Sequence, residues 1–128
     1  MSESNNTYYV SVTIGRNMGD RPMSEKRWDQ FRFEAARIVS QSGKLQGQIF
    51  SGDGAGLWED QPEQSYSYAA IVSFDPENVQ GDIDTLNARL AYLATLFNQD
   101  AIARVLVPLP HGDETLVYAD WWPVSGVK

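Results

Sequence analysis

Apolar and polar residues alternate from Tyr8 to Ile14, with Tyr8, Val10, Val12 and Ile14 on one side and Tyr9, Ser11 and Thr13 on the other. A period of two predicts a half-buried strand. Gly15 to Pro22 reads as a loop, and then the period changes. Trp28, Phe31, Ala35, Ile38 and Val39 recur at helical spacing with charged residues between them. Ser24 stands where an N-cap is needed, and Glu25 falls in the first turn, where the helix dipole favours an acid. Met23 and Trp28 take the two positions of a hydrophobic staple, and Gly43 marks the expected stop. Leu45–Phe50 reads as a short second strand. From Ser65 to Phe74 the period is two again, with Tyr66, Tyr68, Ala70, Val72 and Phe74 on one side; Asp75-Pro76 ends it. Ile83, Leu86, Leu90, Leu93 and Phe97 form the most regular helical stripe of the chain, behind a cap at Asp82 or Asp84. Ala101–Val107 predicts a fourth strand, Pro108 to Asp113 a turn, and Thr115–Trp122 a fifth strand.

The order is strand, helix, strand, strand, helix, strand, with one strand added. It predicts an α+β, ferredoxin-like split βαβ sandwich, an antiparallel sheet with two helices on one face. We expect a single domain over residues 1–128, with its core in 8–107 and the C-terminal strand and tail in 108–128. The second face of the sheet is left for a ligand or a partner.

Four marks stand along this frame. They are Ser24-x-x-x-Trp28-x-x-Phe31, Gly56-Leu57-Trp58, Glu63-x-Ser65, and the run Phe97-Asn98-Gln99-Asp100-Ala101-Ile102-Ala103-Arg104-Val105. Together they resemble a family of small bacterial and phage-borne ferredoxin-like domains of unknown function, over roughly residues 10–107. The resemblance implies the fold and brings no activity with it. The chain departs from the family pattern in the glycines at 52–56 and in its aromatic tail with Trp121 and Trp122.

Gly52-x-Gly54-x-Gly56 invites a phosphate-cradling reading. Such a loop needs a helix N-terminus behind it. Here Trp58-Glu59-Asp60 and a strand follow, and no Lys-Ser/Thr pair is present. Asp53-Gly54 is instead a hairpin signal, so the segment is expected to turn between strands. Trp58, Glu59, Glu63 and Ser65 are candidates for a contact surface, since tryptophan among carboxylates suits an interface or a cation. The opposing reading makes Trp58 a plug of the core, with Glu63 satisfying turn backbone. Gln99 and Asp100, where the second helix meets the fourth strand, are candidates for a pocket. Tyr66, Tyr68, Trp121 and Trp122 supply aromatic strand surface that would stack on another subunit. Gly15-Arg16-Asn17-Met18-Gly19 has some of the acylphosphatase phosphate-loop character, but no close glycine loop runs into the helix.

Composition narrows the chemistry. With no cysteine, disulfides, thiolate metal sites and cysteine nucleophiles are excluded. The single histidine, His111, has no nucleophile elbow or ligand spacing around it. We expect no metal and no cofactor. No run reaches the length of a membrane span, and no apolar leader is present, so a cytoplasmic protein is expected, in the host cytoplasm if phage-encoded. The net charge of −7 is uneven. Residues 1–44 hold seven Lys/Arg against five Asp/Glu, whereas residues 45–128 hold three against twelve. Direct nucleic-acid binding is therefore not expected. Arg16, Arg21, Lys26, Arg27, Arg32 and Arg37 read as a solvated helix face, with a small anion site as the alternative. These features lead to a non-enzymatic acidic protein-binding module, a homodimer or a regulator of a host protein, leaning away from an enzyme. The alternative is a small-molecule binder or cofactor-independent enzyme with a cavity between sheet and helices.

Overall fold

A computed structural model describes residues 6–58 and 60–109, apart from the Trp58 side chain. Strand β1 (Thr7–Gly15) carries the alternation of its sequence into space. Val10, Val12 and Ile14 are buried, while Tyr9, Ser11 and Thr13 face the other way. Two short strands, β2 (Asn17–Met18) and β3 (Arg21–Pro22), make a small hairpin in the segment expected to be a plain loop. Gly19 turns it at a φ of 66°, a backbone conformation that suits glycine.

Helix α1 (Glu25–Ser40) begins at the expected residue. The Ser24 hydroxyl accepts from the Arg27 N–H at 3.2 Å, and Met23 and Trp28 are both buried in the core. It ends at Gln41 rather than in a left-handed glycine cap. Gly43 serves another purpose: a Cβ there would lie 2.6 Å from the Ser73 carbonyl oxygen, so it lets the next strand close against its neighbour.

The largest departure follows. Strand β4 runs from Lys44 to Trp58, far beyond the expected Leu45–Phe50, and β5 runs from Gln61 to Ser73. The two pair from Lys44↔Ser73 to Trp58↔Gln61, with register shifts between Leu45 and Gly47 and between Gln48 and Phe50. Asp53-Gly54 is thus inside a strand, paired with Tyr66 and Ser65, and not a turn. The chain reverses between Trp58 and Gln61, and Asp60 takes a left-handed φ of 66°.

Helix α2 (Val79–Leu96) starts at an Asn78 cap, a turn earlier than expected. Asp82 lies in its first turn and accepts from the Asp75 N–H. Strand β6 (Ala103–Pro108) completes the sheet, starting two residues later than expected. The expected fifth strand, Thr115–Trp122, lies outside the described residues, as do His111, Trp121 and Trp122.

The strand order is β4-β5-β1-β6, antiparallel throughout. This is the ferredoxin-like arrangement expected from the sequence. One face carries Val10, Val12, Ile14, Tyr68, Ala70 and Val72, packed with Trp28, Phe31, Ile38, Leu86, Leu90, Leu93 and Phe97 from the helices. Phe31 stacks on Phe97 with centroids 4.6 Å apart and joins the two helices. Burying each such side chain contributes about 1.5–3 kcal/mol. Among the described residues no helix is long and apolar enough to cross a membrane.

Candidate active site

Pairing in an antiparallel sheet puts directly opposite residues on one face. Glu63 and Ser65 on β5 therefore share the helix-free face with Thr13 and Gly15 on β1, Ala103 on β6, and Gly52, Gly54 and Gly56 on β4. At the end of the sheet where β1 stops, Thr13, Gly15, Gly56, Glu63, Ser65 and Ala103 form the floor of a cleft of about 840 Å³. The β2–β3 hairpin, through Asn17, Gly19 and Asp20, and the segment 98–102 after α2 form its sides. Of the buried core cluster only Ile14 reaches it. The cleft is thus on the open side of the sheet, not between sheet and helices as the alternative reading had it. Its volume is in the range of small-molecule sites.

Glu63 is held at the centre by an unusual fit. The β1–β5 ladder ends at Gly15↔Ser65 and the Arg16 N–H donating to the Gln64 carbonyl at 3.0 Å. The next N–H, that of Asn17, donates to Glu63 Oε2 at 2.9 Å, so the side chain extends the ladder by one bond. The carboxylate occupies the space that a side chain on Gly15 would fill, and a Cβ there would overlap it. Glu63 Oε1 has no hydrogen-bond partner among the described residues and is available to a ligand. The two sides of the cleft are tied together by Gln99, whose Nε2 donates to the Asn17 carbonyl at 2.8 Å and the Phe97 carbonyl at 3.3 Å. Asn98, at a left-handed φ of 56°, turns the chain off α2 so that Gln99 can reach. Gln99 thus organises the walls, with its amide oxygen left over.

The charge of the cleft is one-signed. Asp20, Glu63 and Asp100 line it, and no Lys or Arg does among the described residues. Four of the five arginines of the first forty residues are engaged elsewhere. Arg16 Nε donates to the Met23 carbonyl at 2.8 Å and its Nη1 to Gln64 at 2.8 Å. Arg27 donates to the Leu96 carbonyl at the end of α2 and lies over the Phe97 ring. Arg37 pairs with Glu34. Arg32 pairs with Asp29 and with Asp53, fastening α1 to the long strand β4. Partial burial lowers the Arg32 pKa, the bonds and charges of both carboxylates raise it, and the net direction is upward. These four do not form an anion site.

The sequence-derived candidates separate. Glu63, Ser65, Gln99 and Asp100 come together in the cleft. Tyr68 is packed into the helix-covered core, and Tyr66 is half-buried on that same face, with the Arg32 guanidinium 5.9 Å above its ring. Neither presents an aromatic surface on the open face. The Trp58 side chain, Glu59, Trp121 and Trp122 lie outside what is described. Asp20 belongs to the site and was missed by sequence reasoning; Gly15, Asn17 and Gly56, weighed in the sequence only as parts of phosphate loops, belong to it as well. For Gly56 a signal existed: glycines at 52, 54 and 56 have the period of a strand face. Among the described residues no group of three His, Cys, Asp or Glu is placed to hold a metal ion.

No family model and no curated protein matches the chain. Its fold is similar to that of a phage SAM lyase in complex with S-methyl-5'-thioadenosine. The TM-score is 0.51 at 19% identity, over 91% of this chain and 93% of that one. A phage SAM lyase in the apo state is similar at a TM-score of 0.50 and 19% identity, over 90% and 91% of the two chains. At that identity the likeness shows the fold. It nevertheless runs against the non-enzymatic protein-binding module, and against the lean away from an enzyme. The solved neighbours are an enzyme, and one of them holds a small-molecule ligand.

Proposed function

We propose that this protein is a small-molecule enzyme of the lyase type and that its cleft takes an adenosyl sulfonium substrate, S-adenosylmethionine. The observation that carries the reading is the cleft itself: about 840 Å³ across the end of the sheet, with Asp20, Glu63 and Asp100 in its lining and no basic residue among the described ones. S-adenosylmethionine carries a sulfonium and an ammonium against one carboxylate, so an acidic site attracts it. The thioether left after cleavage is neutral and loses that attraction. The same carboxylates then select substrate over product.

The reaction balances within the substrate. The bond between sulfur and the γ-carbon of the amino-acid arm breaks, and its electron pair goes to sulfur, which becomes the neutral thioether of S-methyl-5'-thioadenosine. An oxygen of the arm's own carboxylate bonds to the γ-carbon and closes a five-membered lactone. Neither water nor an oxidant enters. Intramolecular closure of this kind gains greatly from orientation. The task left to the protein is to hold the arm folded, with Glu63 Oε1 and Asp100 on the ammonium. Close carboxylates around the sulfonium itself would oppose its neutralisation, so their place is at the amino-acid end.

The test is incubation with S-adenosylmethionine and chromatographic measurement of S-methyl-5'-thioadenosine. Release well above spontaneous decay is expected, reduced about ten-fold or more in Glu63→Gln and Asp100→Asn at unchanged melting temperature. No release at stoichiometric enzyme, with no binding of either nucleoside by calorimetry, overturns the reading.

A further inference from the structure

Gly56 of β4 has no explanation in the fold. Neither Gly54 nor Gly56 has a positive φ; among the glycines of the described residues that conformation belongs to Gly19. A Cβ on Gly56 would meet nothing within 4 Å, and one on Gly54 would touch only the Ser65 hydroxyl at 3.2 Å. Alanine would therefore fit at position 56 and would strengthen the strand, since glycine in a strand interior carries extra chain entropy and packs nothing. What the fold does not require at Gly56, the cleft does use. Gly56 lines it and stands opposite Glu63 in register, so a side chain at 56 would project into open cleft space, across β5 from the Glu63 carboxylate that lies over Gly15.

The cleft is also polarised along the sheet. Its β4 end is lined by Ala55, Gly56 and Leu57, with no charge. Asp20 is on the hairpin that follows β1, and Asn98 and Asp100 are on the segment that leads from α2 into β6. Glu63, on β5, stands between the two ends. A ligand that is flat and uncharged at one end and cationic at the other matches this order. We infer that Gly56 is a specificity-determining residue: its bare backbone is the surface on which the planar purine lies, which directs the sulfonium and amino-acid arm toward Asp100. The inference rests on the adenosyl reading above and adds the orientation of the ligand and the residue that admits its base.

The experiment is calorimetric titration of S-methyl-5'-thioadenosine into wild type, Gly56→Ala and Gly56→Val, each with a thermal melt. Gly56→Ala is expected to melt at the wild-type temperature or above and to bind about three-fold or more weaker. Gly56→Val should lose about ten-fold or more, as a filled pocket does. Gly56→Ala at wild-type affinity overturns the inference and leaves the nucleoside reading standing. Weaker binding that only follows a lowered melting temperature also overturns it, because it marks a structural glycine. A folded wild type that does not bind the nucleoside overturns the inference, and the adenosyl reading falls with it when S-adenosylmethionine is neither bound nor cleaved. Should the valine variant fail to fold, the alanine variant decides.

Discussion

The two faces of the sheet are built from alternate residues of the same strands and follow opposite rules. The covered face is built on volume: Val10, Val12, Tyr68, Ala70 and Val72 fill the space beneath Trp28, Phe31, Leu86 and Phe97. The cleft end of the open face is built on missing volume. Gly15 yields its side-chain space to the Glu63 carboxylate, and Gly56 leaves open the cleft floor on the other side of β5. The first face is held by close packing, where each lost methylene is felt. The second is held by position, with Gln99 and the Asn17 N–H fixing the walls. A protein of this size can keep a site on its open face because the other face carries the stability.

The sharpest way to break the contrast is through Phe31, fully buried and stacked on Phe97 at 4.6 Å. Phe31→Ala should cost about 3–5 kcal/mol of unfolding free energy in urea titration. A loss below about 1 kcal/mol would mean the helix layer does not carry the fold. On the open face, Gly15→Ala should displace the Glu63 carboxylate and release its bond to Asn17. The expected cost is about 1–2 kcal/mol, together with a shift of the Asn17 amide resonance. An unchanged resonance would break the account of how Glu63 is held. The smallest effect concerns Tyr68 on the covered face. Burial raises its pKa above the ordinary 10.0, only partly offset by its bond to Ser40. Its neutral form is favoured in the folded state, so the contribution is complete below about pH 10 and is lost as pH rises through the folded pKa. The fall in melting temperature above pH 10 should be shallower in Tyr68→Phe. An equal slope in both proteins would show that Tyr68 does not titrate differently on folding.

The covered face was legible in the sequence because apolar periodicity reports burial directly. The spacing of Trp28, Phe31, Ala35 and Ile38, and that of Ile83, Leu86, Leu90 and Leu93, is enough to name the buried residues of both helices. Ser24 marked the start of α1 because an N-cap is a local interaction. The glycine-bearing half of β4 was not legible for the converse reason. A strand face made of glycine shows no apolar alternation, and glycine in sequence is the strongest signal of a turn. Pairing with β5 over the full length of β4, a tertiary fact, overrode it.

Local pattern and composition were sufficient for the order of the two helices and the four strands of the main sheet, the ferredoxin-like class, most core residues and the exclusion of thiol chemistry. They also marked Glu63, Ser65, Gln99 and Asp100 as residues near element ends. That these four share one cleft with Gly15, Asn17, Asp20 and Gly56 follows from the folded arrangement of the chain. The contacts involved span as many as 82 positions, and no local pattern encodes a distance of that kind.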